Sequence, residues 1–271
     1  MMRALWSAAS GMKGQQVSVD TIANNLANVN TTAYKAQSTQ FKTLLYQTMQ
    51  SSSTNAQGET KPTSAQVGLG TRVASINSSF TQGAQLANDS PTAMCIDGNG
   101  FFAVQDGEET HYTRNGNFNW ALDANGNKVL TTAEGYKVLD QAGKEITVPN
   151  TVEKGFAVNP DDASISYQNP DGTYTNTGQN IAIYQFTNRV GLEKIGENLY
   201  DETNASGEPM GEWNTNGIIR SAVLQNYLEG SNVNVADEMV NLIISQRAYE
   251  MNSKAITTSD TMLEQANNLK R

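Results

Sequence analysis

The N-terminal residues carry apolar side chains at a spacing of seven, the pattern of a helix with one narrow buried seam. One row consists of Leu5, Met12, Val19 and Leu26, and the row beside it of Ala8, Gln15, Ile22 and Val29. Proline is absent from residues 1–50, and Asn28, Asn30 and Thr31 supply stop signals. The pattern predicts a helix over about residues 3–29.

The C-terminal residues repeat this pattern over a longer stretch. The row consists of Val235, Leu242, Tyr249, Ile256 and Leu263, and Met239 and Ile243 widen it. Asn234 is a candidate N-cap, followed by Asp237 and Glu238 near the positive helix end. We expect a helix of about 35 residues, roughly 50 Å long at 1.5 Å per residue.

The middle of the chain changes to a different pattern after about residue 80. Short runs rich in aromatic and β-branched residues alternate with Asp-Gly and Asn-Gly pairs, among them Asp106-Gly107 and Asn115-Gly116. Such pairs supply the positive φ angles that tight hairpins require. The pattern predicts an antiparallel β domain over residues 82–227.

The predicted fold class is therefore α+β, with terminal helices that pair as a coiled-coil-like domain. Residues 1–48 and 228–271 form this discontinuous helical domain, and residues 49–81 form a Ser/Thr/Gly-rich connecting extension before the β domain of residues 82–227. Within the extension, residues 51–70 suit either a flexible linker or a surface that becomes ordered against a neighbouring subunit.

The net charge of −9 is concentrated in the middle of the chain, whereas residues 1–50 carry four basic residues and one acidic residue. An acidic middle argues against nucleic-acid binding. No stretch has the roughly 18 uncharged apolar residues that a membrane span needs, and the N-terminus lacks a secretory apolar block. We expect no membrane insertion, and either cytoplasmic residence or export without cleavage.

Catalytic chemistry is poorly supplied. Cys95 and His111 are the only residues of their types, which leaves a thiol nucleophile without a base close in sequence and zinc with too few ligands. Asp123, Asn125 and Asn127 resemble the start of a calcium loop, but a hairpin turn explains them better. Adjacent carboxylates, such as those at 161–162, point to opposite faces of a strand. We predict no catalytic, cofactor-binding or metal-binding residues.

Long terminal helices with narrow seams suit a protein that assembles with copies of itself, because neighbours can bury what a single chain leaves exposed. Two other classes remain as alternatives. A secreted wall-acting enzyme predicts a cleft with two convergent carboxylates. An extracellular adhesin or phage-tail-like fibre shares the acidic β middle.

Four segments resemble the bacterial flagellar rod and hook family: TIANNLANVNTTAYKAQSTQF, GNGFFAV, HYTRNGNF and YLEGSNVNVADEMVNLIISQRAYE. The resemblance covers nearly the whole chain. The N-terminal signature corresponds to Asn24, Asn25, Leu26, Ala27 and Asn28. The C-terminal signature corresponds to Gln246, Arg247, Ala248, Tyr249 and Glu250.

The resemblance implies a structural subunit of a helical tube that transmits torque and encloses the export channel, with the helices inside and the β domain outside. It implies export through the type III apparatus, and contacts with copies of the chain, other rod and hook proteins, and surrounding ring proteins. The length favours the rod over the hook, and the resemblance favours the distal over the proximal rod. It also implies that residues 51–70 stiffen the rod.

Overall fold

A computed structural model describes residues 2–50, 64–107, 109–123, 126–149, 155–168, 171, 173–215 and 217–269. The chain divides into two compact units. The first consists of Met1–Ala27, Gln37–Ser78 and Asn234–Arg271, and the second of Asn28–Ala36 and Ser79–Val233. The chain therefore passes between the units at four points.

Both predicted terminal helices are confirmed. Helix α1 spans Met2–Ala27 and helix α2 spans Val235–Asn268. Asn234 caps α2, because its side-chain oxygen accepts a hydrogen bond from the backbone N–H of Ala236 at 3.1 Å. No helix in the described part of the chain is long and apolar enough to cross a membrane.

The two helices lie side by side and run in opposite directions. The contacts recur seven residues apart on each helix, at Gly11 with Asn252, Ser18 with Ser245 and Asn25 with Glu238. The two serine hydroxyl oxygens are 3.3 Å apart, and the Asn25 amide donates to Glu238 Oε1 at 3.2 Å. A repeat of seven keeps one face of each helix against its partner.

Four strands complete the described part of the first unit: β1 (Gln37–Thr43), β2 (Tyr46–Gln50), β3 (Ala65–Gly68) and β4 (Thr71–Ser78). β1 pairs with β4 and β2 pairs with β3, both antiparallel. The β1 side chain Phe41 contacts α1 at Gly14, where an added Cβ would lie 3.0 Å from the ring. These strands occupy residues that the sequence divided between the helical domain and the extension, and residues 51–63 lie outside the described part.

The second unit is rich in antiparallel strands, as predicted for the middle of the chain. Its first strands are β5 (Gln85–Ala87), β6 (Met94–Asp97), β7 (Phe101–Asp106), β8 (Glu109–Thr113), β9 (Asn119–Leu122), β10 (Lys128–Thr131), β11 (Lys137–Val138) and β12 (Thr147–Val148). The later strands are β13 (Ala157–Val158), β14 (Ser164–Gln168), β15 (Tyr174–Asn180), β16 (Ile183–Gln185), β17 (Glu193–Gly196), β18 (Leu199–Asp201), β19 (Met210–Gly211), β20 (Ala222–Gln225) and β21 (Tyr227–Glu229). A short 3₁₀ helix spans Arg189–Gly191.

The main sheet of this unit has the order β12-β10-β11-β7-β8-β18-β17, and β9 and β16 pair with β10 and β7. Smaller sheets are formed by β13-β14-β15, by β6 with β20, and by β5 with β21. One buried cluster contains Phe102, Phe118 and Leu130, and a second is built on Phe101 and Tyr200. The rings of Phe102 and Phe118 pack edge to face, and so do those of Phe101 and Tyr200. Such ring pairs add to the stabilisation from apolar burial.

The predicted hairpin at Asp106-Gly107 is confirmed, since β7 pairs directly with β8 and Gly107 has a φ of 62°. The predicted hairpin at Asn115-Gly116 is wrong, because β8 pairs with β7 and β18, and β9 pairs with β10. Gly116 instead lies against the backbone of Met94, whose carbonyl oxygen would be 1.7 Å from an added Cβ. Glycine is required there for close approach and not for a turn.

Candidate subunit interface

The predicted seam residues of α1 lie in or beside its packed face. Ala8 and Ile22, which belong to the same predicted row, are both buried. The remaining members of the first row are half-buried: Leu5, Met12, Val19 and Leu26. Val29, predicted to continue the second row, lies beyond the end of α1 at Ala27.

The predicted row of α2 divides into two groups. Leu242, Ile256 and Leu263 are half-buried, at positions that alternate with the contacts to α1. Val235, Met239 and Tyr249 are exposed. On the single chain, α1 therefore covers only part of the apolar surface of α2.

The contacts between the helices include small and polar residues that the sequence reasoning missed. Gly11, Ser18 and Asn25 form a row on α1, and Ser245 and Asn252 belong to the matching row of α2. The predicted rows consist mainly of apolar residues, whereas small and amide side chains also recur at every seventh position of these helices. That second repeat is the signal that could have found the seam.

Glu238 lies at one end of this seam, half-buried beside Asn25. Burial raises the pKa of its carboxyl, and the charge of Asp237 raises it further, although the Asn25 hydrogen bond acts in the opposite direction. Protonation of Glu238 is thus easier in the folded helix pair than in an exposed chain.

Asn25 explains part of the N-terminal signature in physical terms. Its side chain is fully buried, and its oxygen accepts from the backbone N–H of Gln37 at 2.9 Å. Its amide nitrogen donates to the carbonyl of Gln37 at 2.8 Å as well as to Glu238. One amide therefore joins α1, the start of β1 and α2. Among the other signature residues, Asn24 and Ala27 are exposed, and Leu26 and Asn28 are half-buried.

The C-terminal signature lies beside a groove along the helix pair. Gln246, Tyr249 and Glu250 line this groove together with Gln16 and Val19 of α1, and its volume is about 460 Å³. In the same signature Ala248 is half-buried, and Arg247 donates to Glu250 at 2.9 Å on the exposed surface.

The side of α2 opposite the seam carries a continuous group of exposed apolar residues. We call this group the outer face, and it consists of Val235, Met239, Val240, Ile243, Ile244 and Met251. At about 100° per residue, four of these positions lie about 120–160° from the direction of Ser245, namely Met239, Val240, Ile243 and Met251. Val235 and Ile244 lie about 80–100° from it, at the two edges of the outer face. Ile244 is 61% exposed and Met251 is 65% exposed. Exposed apolar surface of this kind is a candidate site of association.

A second exposed apolar group of the first unit lies on β2 and on the residue just before it. Leu45 is 83% exposed, and Tyr46 and Met49 on β2 are also exposed. Residues 51–64 connect this strand to β3, and residues 51–63 lie outside the described part of the chain. Trp6 adds a large exposed ring near the start of α1.

The second unit contains a polar cleft of about 350 Å³ that is lined by Asp161, Asp162 and Glu212, with Trp213 and Arg220. Glu212 is buried and its oxygens are already engaged. Oε2 accepts from the backbone N–H of Ser221, and Oε1 accepts from the Ser221 hydroxyl, both at 2.7 Å. These hydrogen bonds tie the carboxylate of Glu212 to the segment that carries Ser221.

Three protein families match separate parts of the chain. Residues 5–35 match "Flagella basal body rod protein", residues 95–173 match "Flagellar hook protein FlgE/F/G D1 domain", and residues 224–269 match "Flagellar basal body rod FlgEFG protein C-terminal". These matches include both helices that form the candidate interface.

Full-length relatives carry the same description. The flagellar basal-body rod protein FlgG of Borreliella burgdorferi is 43% identical over 275 residues, covering all of both chains. FlgG of Buchnera aphidicola subsp. Schizaphis graminum is 40% identical over 99% of this chain and all of its own length. FlgG of Bacillus subtilis is 38% identical over the whole of both chains. This chain belongs to the flagellar basal-body rod protein family and is a structural subunit of the bacterial flagellar basal body.

Proposed function

We propose that this chain is a subunit of the distal rod and that copies of it assemble into a helical tube through the outer face of α2. The tube transmits torque and encloses the export channel. Other rod and hook proteins contact its ends, surrounding ring proteins contact its outside, and the type III apparatus exports the chain without cleavage. The outer face is the observation that carries this proposal.

The helix pair supports a coiled-coil-like arrangement within each subunit. Contacts at Gly11, Ser18 and Asn25 recur every seven residues, and their partners recur every seven residues in reverse order. Polar and small residues in a seam specify register more than they add stability. The strongly apolar side chains of α2 are thereby left for contacts with other copies.

The outer face has enough apolar surface to drive association. Each exposed side chain that becomes buried contributes about 1.5–3 kcal/mol at full burial, and less where it is already half-covered. The group on α2 therefore supplies several kcal/mol per subunit, against the cost of ordering and lost freedom. A helical polymer repeats this contact along its length, so modest single contacts suffice.

The predicted seam and signature residues, including Leu242, Tyr249 and Leu263, serve in this proposal as packing residues of the subunit. Tyr249 lines the groove beside the pair, where a helix of a neighbouring copy fits. The exposed apolar residues Leu45, Tyr46 and Met49 support a further contact with a neighbour. We include residues 51–70 in that contact, of which 51–63 lie outside the described part of the chain.

The experiment is polymerisation of the purified chain, which excludes any effect on export. Ile243→Asp and Ile244→Asp place a charge in the outer face, and Thr261→Asp places the same charge at an exposed position in the polar last third of α2. We expect both isoleucine variants to remain monomeric by sedimentation and the threonine variant to polymerise. Far-ultraviolet circular dichroism checks that α2 is retained.

A separate variant tests the pairing of the two helices. Leu242→Asp places a charge at a half-buried position beside the seam, and we expect it to lower the helical signal as well as polymerisation. If Ile243→Asp and Ile244→Asp polymerise like the unchanged chain, the outer face is not the subunit interface and the proposal fails.

We infer that the chain has no enzymatic role. The full-length relatives are rod proteins by name. The cleft that carries Asp161 and Asp162 holds its third carboxylate, Glu212, in structural hydrogen bonds. Replacing Asp162 by Asn is expected to leave polymerisation unchanged, and motility restored by that variant would agree with a structural subunit.

A further inference from the structure

A cluster of three charged side chains is buried within the second unit. Lys35 and Glu229 have fully buried side chains, and Arg114 is 1% exposed. Lys35 Nζ lies 2.6 Å from Glu229 Oε1, and Arg114 Nε lies 2.8 Å from Glu229 Oε2. The backbone N–H of Gly83 also donates to Oε1 at 3.0 Å. One carboxylate therefore joins three separate parts of the chain.

Further donors of the two basic residues are used as well. Lys35 donates to the carbonyl of Thr81 at 2.9 Å. Arg114 donates to the carbonyls of Gly98 and Gly100, each at 2.9 Å, and to that of Ile96 at 3.2 Å. Burial favours the neutral acid, but Arg114 and Lys35 outweigh it and lower the pKa of Glu229. Glu229 is thus held in its ionised form, whereas burial and the nearby charge of Arg114 lower the pKa of Lys35.

The residues of this cluster lie on the segments by which the chain enters and leaves the unit. Residues 28–36 follow α1, and residues 229–233 precede α2. The N–H of Ala33 donates to the carbonyl of Glu229 at 2.8 Å, and the side-chain oxygen of Asn232 accepts from the N–H of Ala36 at 2.7 Å. Hydrogen bonds therefore join the connecting segment of residues 28–36 to that of residues 229–233.

The third connecting segment, which begins at Ser79, joins the same network. Its N–H donates to the carbonyl of Ala36 at 2.8 Å, and its carbonyl accepts from Asn232 at 2.8 Å. Gly83 follows in the same segment and approaches Gly230 so closely that an added Cβ would lie 2.0 Å from its carbonyl oxygen. All the chain crossings between the two units thus lead into segments that converge on one buried network.

We propose that Lys35, Arg114 and Glu229 form a mechanical clamp that fastens these connecting segments together, so that force on the terminal helices is shared by the whole second unit. The clamp deepens the proposed function, because it rests on the chain transmitting torque. Force can pass covalently between the units only through the four crossings. Without the clamp, the connecting segments would be held to one another only by backbone hydrogen bonds and those of the Asn232 side chain.

General energetics favour this role over a contribution to stability alone. A buried ion pair adds little net stability over an apolar core of the same volume, because desolvation offsets the attraction. Removing one partner is nevertheless costly, since a charge is left buried without compensation. Such a cluster resists separation over a very short distance, which is the property that a clamp needs.

The three residues belong to three different segments of the rod-family resemblance. Lys35 lies in TTAYKAQ, Arg114 in HYTRNGNF and Glu229 in YLEGSNVN. Lys35 and Glu229 are separated by 194 positions. The network therefore connects the N-terminal, middle and C-terminal motifs of the chain in one place.

The test is single-molecule pulling of the full chain by its two ends. Residues before 28 and after 233 belong to the first unit, so the force reaches the second unit through the connecting segments themselves. The main variant is Lys35→Met, which leaves the neutral Arg114–Glu229 pair in place. The control is Leu130→Ala, which opens the buried core of the same unit away from the clamp.

We compare the unfolding force of each variant with its melting temperature. For the same loss of melting temperature, we expect Lys35→Met to unfold the second unit at lower force than Leu130→Ala, with an unfolding rate roughly tenfold higher or more at the same force. The clamp is refuted if the unfolding force depends on melting temperature alone, so that Lys35→Met and Leu130→Ala show the same relation between the two quantities. If Lys35→Met does not fold, Glu229→Gln replaces it in the same comparison.

Polymerisation of these variants separates this inference from the proposed function. The outer face of α2 is unchanged in Lys35→Met, and we expect that variant to polymerise. If Lys35→Met polymerises and unfolds at the same force as the unchanged chain, the clamp is overturned and the proposed rod function is retained. Failure of the unchanged chain to polymerise would instead overturn the proposed function, whatever the pulling result.

Discussion

Replacement of Asn25 by alanine tests how the N-terminal signature holds the first unit together. The side chain is fully buried, and its hydrogen bonds include two to the backbone of Gln37 and one to Glu238. Alanine removes these bonds and leaves the N–H and C=O of Gln37 without the Asn25 amide. We expect the paired helices to be destabilised while the second unit keeps its stability.

The magnitude follows from the groups left behind. An unsatisfied buried polar group costs about 1–3 kcal/mol, and a bond to a charged group contributes about 1.5–3 kcal/mol. Gln37 and Glu238 are only half-buried, so water replaces part of each loss. We therefore expect a net loss of about 3 kcal/mol from the free energy of unfolding of the first unit, roughly a hundredfold in its equilibrium constant.

Denaturant unfolding followed by far-ultraviolet circular dichroism measures this effect, because both α-helices of the described chain lie in the first unit. The control is Gln16→Ala, which removes an exposed amide from the same helix. It is expected to change the unfolding free energy by less than about 0.5 kcal/mol. Equal midpoints for the two variants would show that the buried amide does not join α1 to β1 and α2.

Three further substitutions test separate contacts by thermal or denaturant unfolding. Gly83→Ala should destabilise the second unit by about 3 kcal/mol, because its Cβ would meet a backbone oxygen, whereas Gly107→Asn adds atoms in open space and should be nearly neutral. The pKa of Glu238 is raised in the folded helix pair, so the folded state binds more protons than the unfolded chain. The free energy of unfolding should therefore fall as pH rises above about 4.5, and Glu238→Gln should remove that fall. Burial lowers the pKa of Lys194 to about 8, so stability should rise as pH increases from 8 towards 10, and Lys194→Met should abolish the rise. If Glu238→Gln or Lys194→Met kept the pH dependence of the unchanged chain, the shifted pKa of the replaced residue would not be its cause.

The terminal helices could be predicted because a repeat of seven is a local property of the sequence. The structure confirms both, and α1 ends at Ala27, two residues earlier than expected. The sequence could not show which rows face each other. Apolar residues such as Met239 point outward, whereas Ser18 and Ser245 meet in the seam, because partner choice depends on the packing of the whole unit.

The β-rich middle was predictable as a class, but its pairing was not. An Asn-Gly pair has the same sequence whether it forms a turn or allows close approach, and Gly116 does the latter. Strands of two or three residues, such as β11 and β21, are too short to show an alternating pattern. Long-range pairing is decided by burial that a local pattern does not contain.

The buried charges were beyond prediction for a related reason. Lys35, Arg114 and Glu229 each stand in a different motif, and nothing in the local sequence indicates that they meet. Charged residues are ordinarily expected at the surface. Only the folded arrangement shows that one carboxylate compensates two basic side chains away from water.

The most direct test of the central claim is oxidative footprinting of methionine in the free chain and in the assembled polymer. Met239 and Met251 lie on the outer face and are exposed, whereas Met94 is fully buried and serves as the internal reference. We expect peroxide to oxidise Met239 and Met251 in the free chain and assembly to protect both strongly, with Met94 protected throughout. Equal oxidation of Met239 and Met251 before and after assembly would show that the outer face stays open to solvent in the polymer and is not the subunit interface.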